Sequence, residues 1–388
     1  MNEQFSPRRV LISSRCAQTI CSQRFNLART AKDAGWQVTL AGDHVAGPYV
    51  DILENEQFRF FPVPVDQRSF SAFGFGKLVL AYCRLIRGIR PSVFHAFTIK
   101  PIIAGMIAAK IMRVPVRVAT VAGLGHTFLS SSPIVKSLAI GLLRIAMKYT
   151  NRVYFYNLAD RDEYLRYNIV DFAKTRIVPG SGVDTIRFAR QPLPLSQQLS
   201  LVFVGRLLKE KGVPELLAAM QIVRNRKLDV VLHLVGDVDS NNPSSLTRNE
   251  IEMAVSSQLV QWHGHVTDVQ PFLVQAHVVI LPSHREGIPL ALLEGAAMGR
   301  ALIAADVPGC RDVVIHQHTG LLVPPQNADA IAEAIAVMVS DRERVKTMGT
   351  NAHYDMVSRF DTAVVNDKIV ADYTALALRH FRSLETFG

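Results

Sequence analysis

Residues 281–309 read LPSHREGIPLALLEGAAMGRALIAADVPG, and this stretch indicates how the chain folds. It opens on the end of an apolar strand, AHVVILP, which passes through SHREG into a short apolar helix over residues 288–299. Pro289 suits the first turn of that helix and Gly299 suits its C-cap. A second apolar strand, ALIAAD, follows at once. Strand, helix and strand in this order predict a βαβ unit of a parallel sheet.

Two carboxylates in this stretch are candidates for ligand binding. Glu294 is the only charge in the apolar helix. An unpaired buried carboxylate is costly, so Glu294 turns to solvent, pairs within the protein, or receives a polar ligand. Glu286 lies between the strand and the helix, at the edge of an open α/β sheet where ligands bind. The pair suggests a ligand rich in hydroxyl groups.

The alternation of strands and helices extends over the whole chain of 388 residues. Such a chain is too long for one ordinary core. A connector rich in Pro, Gly and Ser separates two independent runs of β-branched strands and helices. We therefore predict an α/β protein with two doubly wound, Rossmann-like domains at residues 1–185 and 199–365, a linker at 186–198 and a C-terminal helical segment at 366–388.

The positive charge is concentrated in the first half. The net charge is +10, and residues 1–190 carry 26 Lys and Arg against 12 Asp and Glu, whereas the remaining residues carry 17 against 21. This distribution indicates an anionic partner, or merely a basic enzyme surface. Residues 133–152 combine apolar positions with Lys136, Arg144 and Lys148. They fit a helix lying on an anionic bilayer, and equally a helix packed on a sheet with its basic side in water.

Several classes of protein are disfavoured. No apolar run reaches the roughly 18 residues of a spanning helix, and no signal peptide is visible. The four cysteines lack a metal-ligand spacing, which predicts reduced thiols in a cytosolic protein. The glycines at 123–125 and 180–182 are weak dinucleotide signals, so a nicotinamide enzyme is disfavoured. The run DVD at 237–239 reads as a strand-end loop, and we expect no metal.

The run GRLLKEKG at residues 205–212 predicts an anion site. Gly205 permits close approach of the backbone at the end of a strand, and Arg206 and Lys211 flank the turn. A helix that starts near Pro214 directs its amide groups the same way. A pyrophosphate would use both the Arg fork and the Lys charge. The alternative is a solvated basic loop.

Together these segments resemble glycosyltransferase family 4 of the GT-B enzymes. The resemblance is carried by GRLLKEKG, LVGD at 234–237, residues 262–314 and HTGLLVPP at 318–325. It implies the GT-B fold, in which two Rossmann-like domains face a cleft and a C-terminal helix returns to the first domain. The Glu pair, Glu286 and Glu294 with seven residues between them, is a specific signal in this context.

The resemblance also implies roles for residues. Arg206 and Lys211 would neutralise the diphosphate of a nucleotide sugar, and Glu286 would contact the donor sugar. Glu294 would accept hydrogen bonds from the ribose. The remaining donor-binding positions are Gly205, the backbone of Gly287, Ile288, Pro289 and Leu290, and the base-stacking region at Gly264 and Val266.

The first half resembles bacterial O-antigen, capsule and N-glycan pathway transferases, which act on polyprenyl-diphosphate-linked sugars. The resemblance rests mainly on residues 22–42, FHAFTIKP at 94–101 and VATVAGLGHTF at 118–128. Two departures are that Ala122 stands where many members have histidine, and that SSRCAQ replaces a glycine pair. His95, Lys100 and His126 are the acceptor-side candidates, and His95 or His126 could replace the missing histidine.

We therefore expect a retaining enzyme that moves a hexose or N-acetylhexosamine from a UDP-sugar to a lipid-linked saccharide, without a protein base and without a metal. It would work in the cytoplasm on the inner face of the cell membrane, with an anionic membrane surface as partner, no nucleic acid and no obligate protein partner. Two alternatives remain. One is a UDP-sugar 2-epimerase of the same fold, and the other is a non-enzymatic basic protein that binds membranes or nucleic acid.

Overall fold

The computed structural model describes residues 8–65, 72–123, 133–240 and 242–385. The chain forms two compact units. Unit 1 comprises Met1–Ser181 and Ala363–Gly388, and unit 2 comprises Gly182–Thr362.

Unit 1 is built on a parallel sheet of seven strands in the described residues, in the order β3-β2-β1-β4-β5-β6-β7. The strands are β1 (Arg9–Cys16), β2 (Gln37–Asp43), β3 (Arg59–Pro62), β4 (Val93–Phe97), β5 (Val116–Val121), β6 (Arg152–Phe155) and β7 (Thr175–Ile177). The helices that connect them are α1 (Ala17–Gln23), α2 (Phe25–Asp33), α3 (Tyr49–Asn55), α4 (Ala72–Ile89), α5 (Ile99–Ile111), α6 (Pro133–Lys148) and α7 (Leu158–Arg166).

Unit 2 repeats the architecture with a parallel sheet of six strands in its described part, in the order β10-β9-β8-β11-β12-β13. Its strands are β8 (Leu199–Val204), β9 (Val230–Val235), β10 (Gln261–Trp262), β11 (Val278–Leu281), β12 (Ala301–Ala305) and β13 (Gly320–Val323). Its helices are α8 (Val213–Asn225), α9 (Arg248–Ser256), α10 (Gln270–Gln275), α11 (Leu290–Ala297), α12 (Cys310–Val313), α13 (Ala328–Ser340) and α14 (Arg342–Arg359).

Helices cover the central strands of both sheets. Every residue of β4, β6, β11 and β12 is buried. Strands that are enclosed on both faces need continuous apolar runs, which explains why they were recognisable in the sequence. In both sheets the strand order reverses next to the first strand, between β1 and β4 in unit 1 and between β8 and β11 in unit 2. Ligands bind at the carboxyl ends of strands at such switch points.

The C-terminal helix α15 (Thr362–Glu385) packs in unit 1. The Tyr373 hydroxyl lies 2.5 Å from His95 Nδ1. The Asp372 carboxylate accepts hydrogen bonds from Arg152 Nε at 2.9 Å and from the Tyr154 hydroxyl at 2.7 Å. These contacts confirm that the C-terminal helix returns to the first domain.

The structure differs from the sequence-based expectations in three places. The sequence pattern predicts one helix over residues 22–34 that ends at Gly35. The structure instead has two helices, because Arg24 leaves helical geometry with φ −122° and its side chain turns into the core. The sequence does not predict strands β3 and β7, since both are short and mostly exposed and carry no run of buried apolar residues. The helix expected over 288–299 is shorter, with Pro289 as N-cap and Gly299 at φ +81° beyond its end.

The helix expected at residues 133–152 is α6, which packs against the unit with Leu143, Ala146 and Met147 buried. Its outer side exposes Leu138 and Ile145. Within the described ranges, no helix combines the length and the apolar character that a membrane crossing requires. The four cysteines all lie in those ranges and are free thiols.

Candidate functional site

Close backbone contacts join three strand ends at the carboxyl edge of the unit 2 sheet. Gly236, after β9, has φ +147°, and a Cβ there would lie 1.8 Å from the carbonyl oxygen of Gly205, after β8. Gly212 has φ +73°, and its Cβ would lie 2.1 Å from the carbonyl oxygen of Pro282, after β11. Only glycine permits these contacts. They place the loop 205–212 beside the loop that follows β11.

Lys211 and Glu286 meet at this junction. Lys211 Nζ lies 2.5 Å from Glu286 Oε1, and the Ser283 hydroxyl donates to the same oxygen at 2.7 Å. Ser283 is fully buried, and the charged side chains are 23% and 11% exposed. Among the described residues, Glu286 Oε2 has no hydrogen-bond partner. One oxygen of Glu286 is therefore held by two donors, and the other accepts no hydrogen bond from the described residues.

His284 fastens the loop after β11 to the start of α8. Its amide donates to the carbonyl of Glu210 at 2.9 Å, and Nε2 lies 3.0 Å from Glu215 Oε1. Its other ring nitrogen lies 3.2 Å from Gln326 Nε2. Because Glu215 lies in the first turn of α8, this bond fixes Glu286 relative to Lys211.

Glu294 lies in α11 between buried apolar neighbours, and part of its side chain remains accessible. Burial is the main cause that raises the pKa of its carboxyl to about 8. The charge of Arg187 lowers this pKa, and the charge of Asp268 raises it. Arg187 and Asp268 form an exposed ion pair of 3.1 Å. In the described part of the chain, the Glu294 carboxyl has no hydrogen-bond partner. It is thus a desolvated acceptor that a hydroxyl-bearing ligand could satisfy.

The other expected donor-side positions lie along the same edge. The Gly264 carbonyl accepts a hydrogen bond of 2.8 Å from the Gly236 amide, which ties the region of Gly264 and Val266 to the end of β9. Arg206 is exposed beside Gly205. The positions Gly287, Ile288, Pro289 and Leu290 lead into α11. The structure therefore assembles the donor-side residues in unit 2, while their roles stay predictions.

The acceptor-side candidates have different surroundings. His95 is fully buried, and its Nδ1 and Nε2 contact the hydroxyls of Tyr373 and Thr120 at 2.5 and 2.7 Å. Burial and then the charge of Arg24 hold the pKa of His95 well below its usual range. In this structure His95 holds α15 on the sheet and presents no free nitrogen. Lys100 lies in the first turn of α5. His126 lies outside the described residues.

Sequence reasoning missed Ser283 and His284, although both lie within residues 281–309. It also missed Glu215, the partner of His284. The only signal in the sequence was a serine three residues before Glu286. In the described ranges, no group of three or more His, Cys, Asp or Glu side chains could hold a metal ion. The run DVD forms no strand and lies after β9, as expected for a loop.

Two models of protein families match the chain. One, described as "Glycosyl transferase 4-like", matches residues 9–157, and the other, described as "Glycosyl transferases group 1", matches residues 198–341. Together they cover most of both units.

Individual glycosyltransferases and solved structures are also similar to this chain over most of its length. The capsular polysaccharide biosynthesis glycosyltransferase CapM of Staphylococcus aureus is 24% identical over 82% of this chain and 85% of that protein. A UDP-Gal:α-D-GlcNAc-diphosphoundecaprenol α-1,3-galactosyltransferase of Escherichia coli is 28% identical over 84% and 85%. The structure of HepE from Anabaena in complex with UDP has a TM-score of 0.75, with 19% identity over 95% of this chain and 100% of that chain. The structural similarity confirms the expected fold class.

Proposed function

The chain belongs to the glycosyltransferase family that these two models describe, and on this premise we propose the reaction that it catalyses. It moves a hexose or an N-acetylhexosamine from a UDP-sugar to a saccharide carried on a polyprenyl diphosphate. The product is an intermediate of a bacterial surface polysaccharide or glycan. The E. coli relative named above, a UDP-Gal-dependent enzyme with a diphosphoundecaprenol acceptor, supports both substrates.

The cluster of Lys211, Glu286 and Ser283 carries the proposal. The Lys211 ammonium lies at the N-terminal end of α8, where a pyrophosphate gains from both the cation and the amide groups. Glu286 has one oxygen held and one available, which suits a hydrogen bond from a hydroxyl of the donor sugar. Arg206, exposed at the same turn, is a second cation for the diphosphate. Glu294 accepts the ribose hydroxyls.

The reaction proceeds with retention by front-side displacement. The acceptor hydroxyl oxygen forms a bond to C1 of the donor sugar on the face from which the diphosphate leaves. The bond from C1 to the phosphate oxygen breaks, its electron pair stays on that oxygen, and the same oxygen takes the acceptor proton. Lys211 and Arg206 stabilise the charge that develops on the leaving diphosphate. No protein base and no metal are required, which agrees with Ala122 at the histidine position.

The enzyme works in the cytoplasm, bound peripherally to the inner face of the cell membrane, where its lipid-linked acceptor lies. The outer side of α6 supports this proposal, since Leu138 and Ile145 are 60% and 47% exposed. Arg144 donates to the carbonyl of Tyr167, and Lys136 lies over the ring of the same residue.

Replacement of Lys136, Arg144 and Lys148 by Gln should release the protein from vesicles that contain anionic lipid. Undiminished binding would place the membrane contact elsewhere.

Product analysis tests the proposed reaction. The full-length protein is incubated in EDTA with UDP-glucose, UDP-galactose, UDP-N-acetylglucosamine or UDP-N-acetylgalactosamine and a farnesyl-diphosphate-linked acetamido sugar. Mass spectrometry should show addition of one sugar from one of these donors, and NMR should show an α-linkage. The Lys211→Ala protein should lose this activity, while Lys209→Ala, which changes an exposed lysine of the same turn, should keep it. Turnover of UDP-sugar without acceptor would instead indicate the epimerase.

A further inference from the structure

Arg24 of unit 1 is a buried cation with no anionic partner in the part of the chain that the structure describes. It is 2% exposed and lies between α1 and α2. Its Nη1 donates to the Tyr156 hydroxyl at 2.5 Å, Nη2 donates to Gln23 Oε1 at 3.2 Å, and its guanidinium lies 4.0 Å above the ring of Phe97. All of these partners are neutral. Among the described residues, no Asp or Glu forms an ion pair with Arg24, and its Nε has no acceptor.

A charge in this position is costly unless it is compensated. Removing a guanidinium from water without a counter-ion is unfavourable by several kcal/mol, even when neutral groups accept some of its hydrogen bonds. The nearby ring of His95 cannot compensate, because it is held neutral in the core. The position of Arg24 therefore suits binding of an anion that the described residues do not supply.

The position in the fold also indicates a ligand. Phe97 is the last residue of β4, and Tyr156 directly follows β6, so Arg24 lies at the carboxyl edge of the sheet. The strand order reverses between β1 and β4, and Ser13 of β1 pairs with Ala96 of β4. Arg24 thus lies at the switch point of unit 1, where open α/β sheets bind ligands.

Two hydroxyl groups at this edge lack hydrogen-bond partners among the residues that the structure describes. Ser14 follows Ser13 at the end of β1, is fully buried, and its Oγ has no hydrogen bond within the described residues. Thr98 directly follows Phe97, and its buried Oγ1 is likewise without a partner in that part of the chain. Thr98 is also the N-cap of α5, a helix of 13 residues whose first turn contains Lys100. Helix N-termini and hydroxyls are suitable donors to phosphate oxygens.

We propose that Arg24, Ser14, Thr98 and the N-terminus of α5 bind the diphosphate group of the acceptor. The inference rests on the proposed function for the identity of the acceptor, whereas the anion site itself rests on Arg24. Guanidinium groups bind phosphate through paired hydrogen bonds. Nε of Arg24, which has no acceptor among the described residues, could donate one hydrogen bond of such a pair. Unit 2 would then bind the nucleotide diphosphate, and unit 1 would bind the lipid diphosphate.

Diphosphate binding by the full-length protein tests the site. The donor site is first saturated with UDP, and inorganic pyrophosphate or farnesyl diphosphate is then titrated by calorimetry. Arg24→Gln should weaken binding of both probes by roughly 10- to 100-fold. Arg113→Gln, which removes an exposed cation before β5 at the opposite edge of the sheet, should leave binding unchanged. UDP affinity should be normal in both variants.

Two further variants, Thr98→Val and Ser14→Ala, test the site even if Arg24→Gln fails to fold. Both remove hydroxyls that make no hydrogen bond within the described residues, so neither should destabilise the free protein. Each should weaken diphosphate binding by roughly 3- to 10-fold. Unchanged diphosphate affinity in folded Arg24→Gln, or in both hydroxyl variants if Arg24→Gln fails to fold, overturns the proposal.

Two further measurements separate the possible failures. If Arg24→Gln affects only binding to anionic phospholipid vesicles and not binding of either diphosphate, the site is a lipid-surface contact and the proposal is wrong. If UDP does not bind the wild-type protein, the proposed function fails. Pyrophosphate titration of Lys211→Ala, which disables the anion site of unit 2, still tests Arg24 in that case, because any remaining Arg24-dependent affinity belongs to unit 1.

Discussion

Replacement of Glu294 by Gln tests whether Glu294 binds the ribose, because that role makes the affinity for a UDP-sugar depend on pH. Two ribose hydroxyls donate hydrogen bonds, and an ionised carboxylate accepts them better than a protonated carboxyl does. In the ligand-free protein, burial raises the pKa of Glu294 to about 8. At neutral pH the binding-competent, ionised form is therefore a minor species. A Gln side chain in its place has no ionised form.

The size of the effect follows from that pKa. With a pKa near 8, about one molecule in ten carries the carboxylate at pH 7 and about one in a hundred at pH 6. The apparent affinity is reduced by the competent fraction, so wild-type affinity for a UDP-sugar should rise about tenfold from pH 6 to pH 7 and level off above pH 8. Solvent contact at the accessible part of the carboxyl makes the tenfold change in affinity an upper bound.

Calorimetric titration with a UDP-sugar between pH 6 and pH 9 measures the effect. A UDP-sugar is used because its phosphates do not titrate in this range, unlike the terminal phosphate of UDP. The Glu294→Gln protein should bind more weakly at pH 9 and show a flat profile, and Glu343→Gln, an 85% exposed position on α14, should follow the wild type. A flat wild-type profile, or the wild-type slope in Glu294→Gln, would refute the role of Glu294.

Stability gives an independent readout of the same group. The pKa of Glu294 in the folded protein is above its ordinary value of 4.5, so the folded state binds the proton more tightly than the unfolded state. The free energy of unfolding of the wild type, relative to Glu294→Gln, should therefore fall as the pH rises from about 4.5 to about 8. Denaturant titrations at several pH values measure this difference, and a difference that grows with pH would contradict the buried position.

Further substitutions test the remaining contacts. Lys211→Ala should lower kcat by about 10²- to 10³-fold, as for a lost donor to developing charge, and a near-normal initial rate would remove its role. Ser283→Ala removes one of the two donors to Glu286 Oε1 and leaves Lys211 as the other, so it should lower kcat/KM for the donor by roughly 5- to 20-fold, with UDP affinity unchanged. An equal loss of UDP affinity would show general damage to the loop. Tyr373→Phe should lower the free energy of unfolding by about 1–2 kcal/mol, because a buried ring nitrogen loses its partner, and an unchanged denaturation midpoint would contradict this contact.

The central strands could be predicted from the sequence, whereas the edges of the sheets could not. Runs such as AHVVILP and SLVFVG are mostly apolar because helices enclose both faces of those strands. Strand β3 is exposed at three of its four residues, and β7 has three residues of which two are exposed. Their pairing depends on neighbouring strands rather than on their own composition.

The same distinction applies to the site. Glu286 and Lys211 could be identified because each belongs to a local run with a family pattern, but their ion pair spans 75 residues and needs the folded sheet. Arg24 read as part of a continuous helix, since nothing local shows that its guanidinium meets Tyr156, which lies 132 residues further on. Buried polar contacts between distant segments are thus what the sequence alone did not reveal.

Thermal stabilisation by nucleotides tests the central claim most directly, namely that unit 2 binds the donor of a UDP-sugar-dependent transferase. The purified protein is melted in EDTA with UDP, GDP, ADP or CMP. A ligand at about a hundred times its Kd adds roughly 2.7 kcal/mol of stability, which is a clear shift in Tm. We predict that UDP raises the Tm in the presence of the chelator and that Lys211→Ala reduces the shift. Stabilisation by GDP or ADP alone, or by none of the nucleotides, would contradict the account.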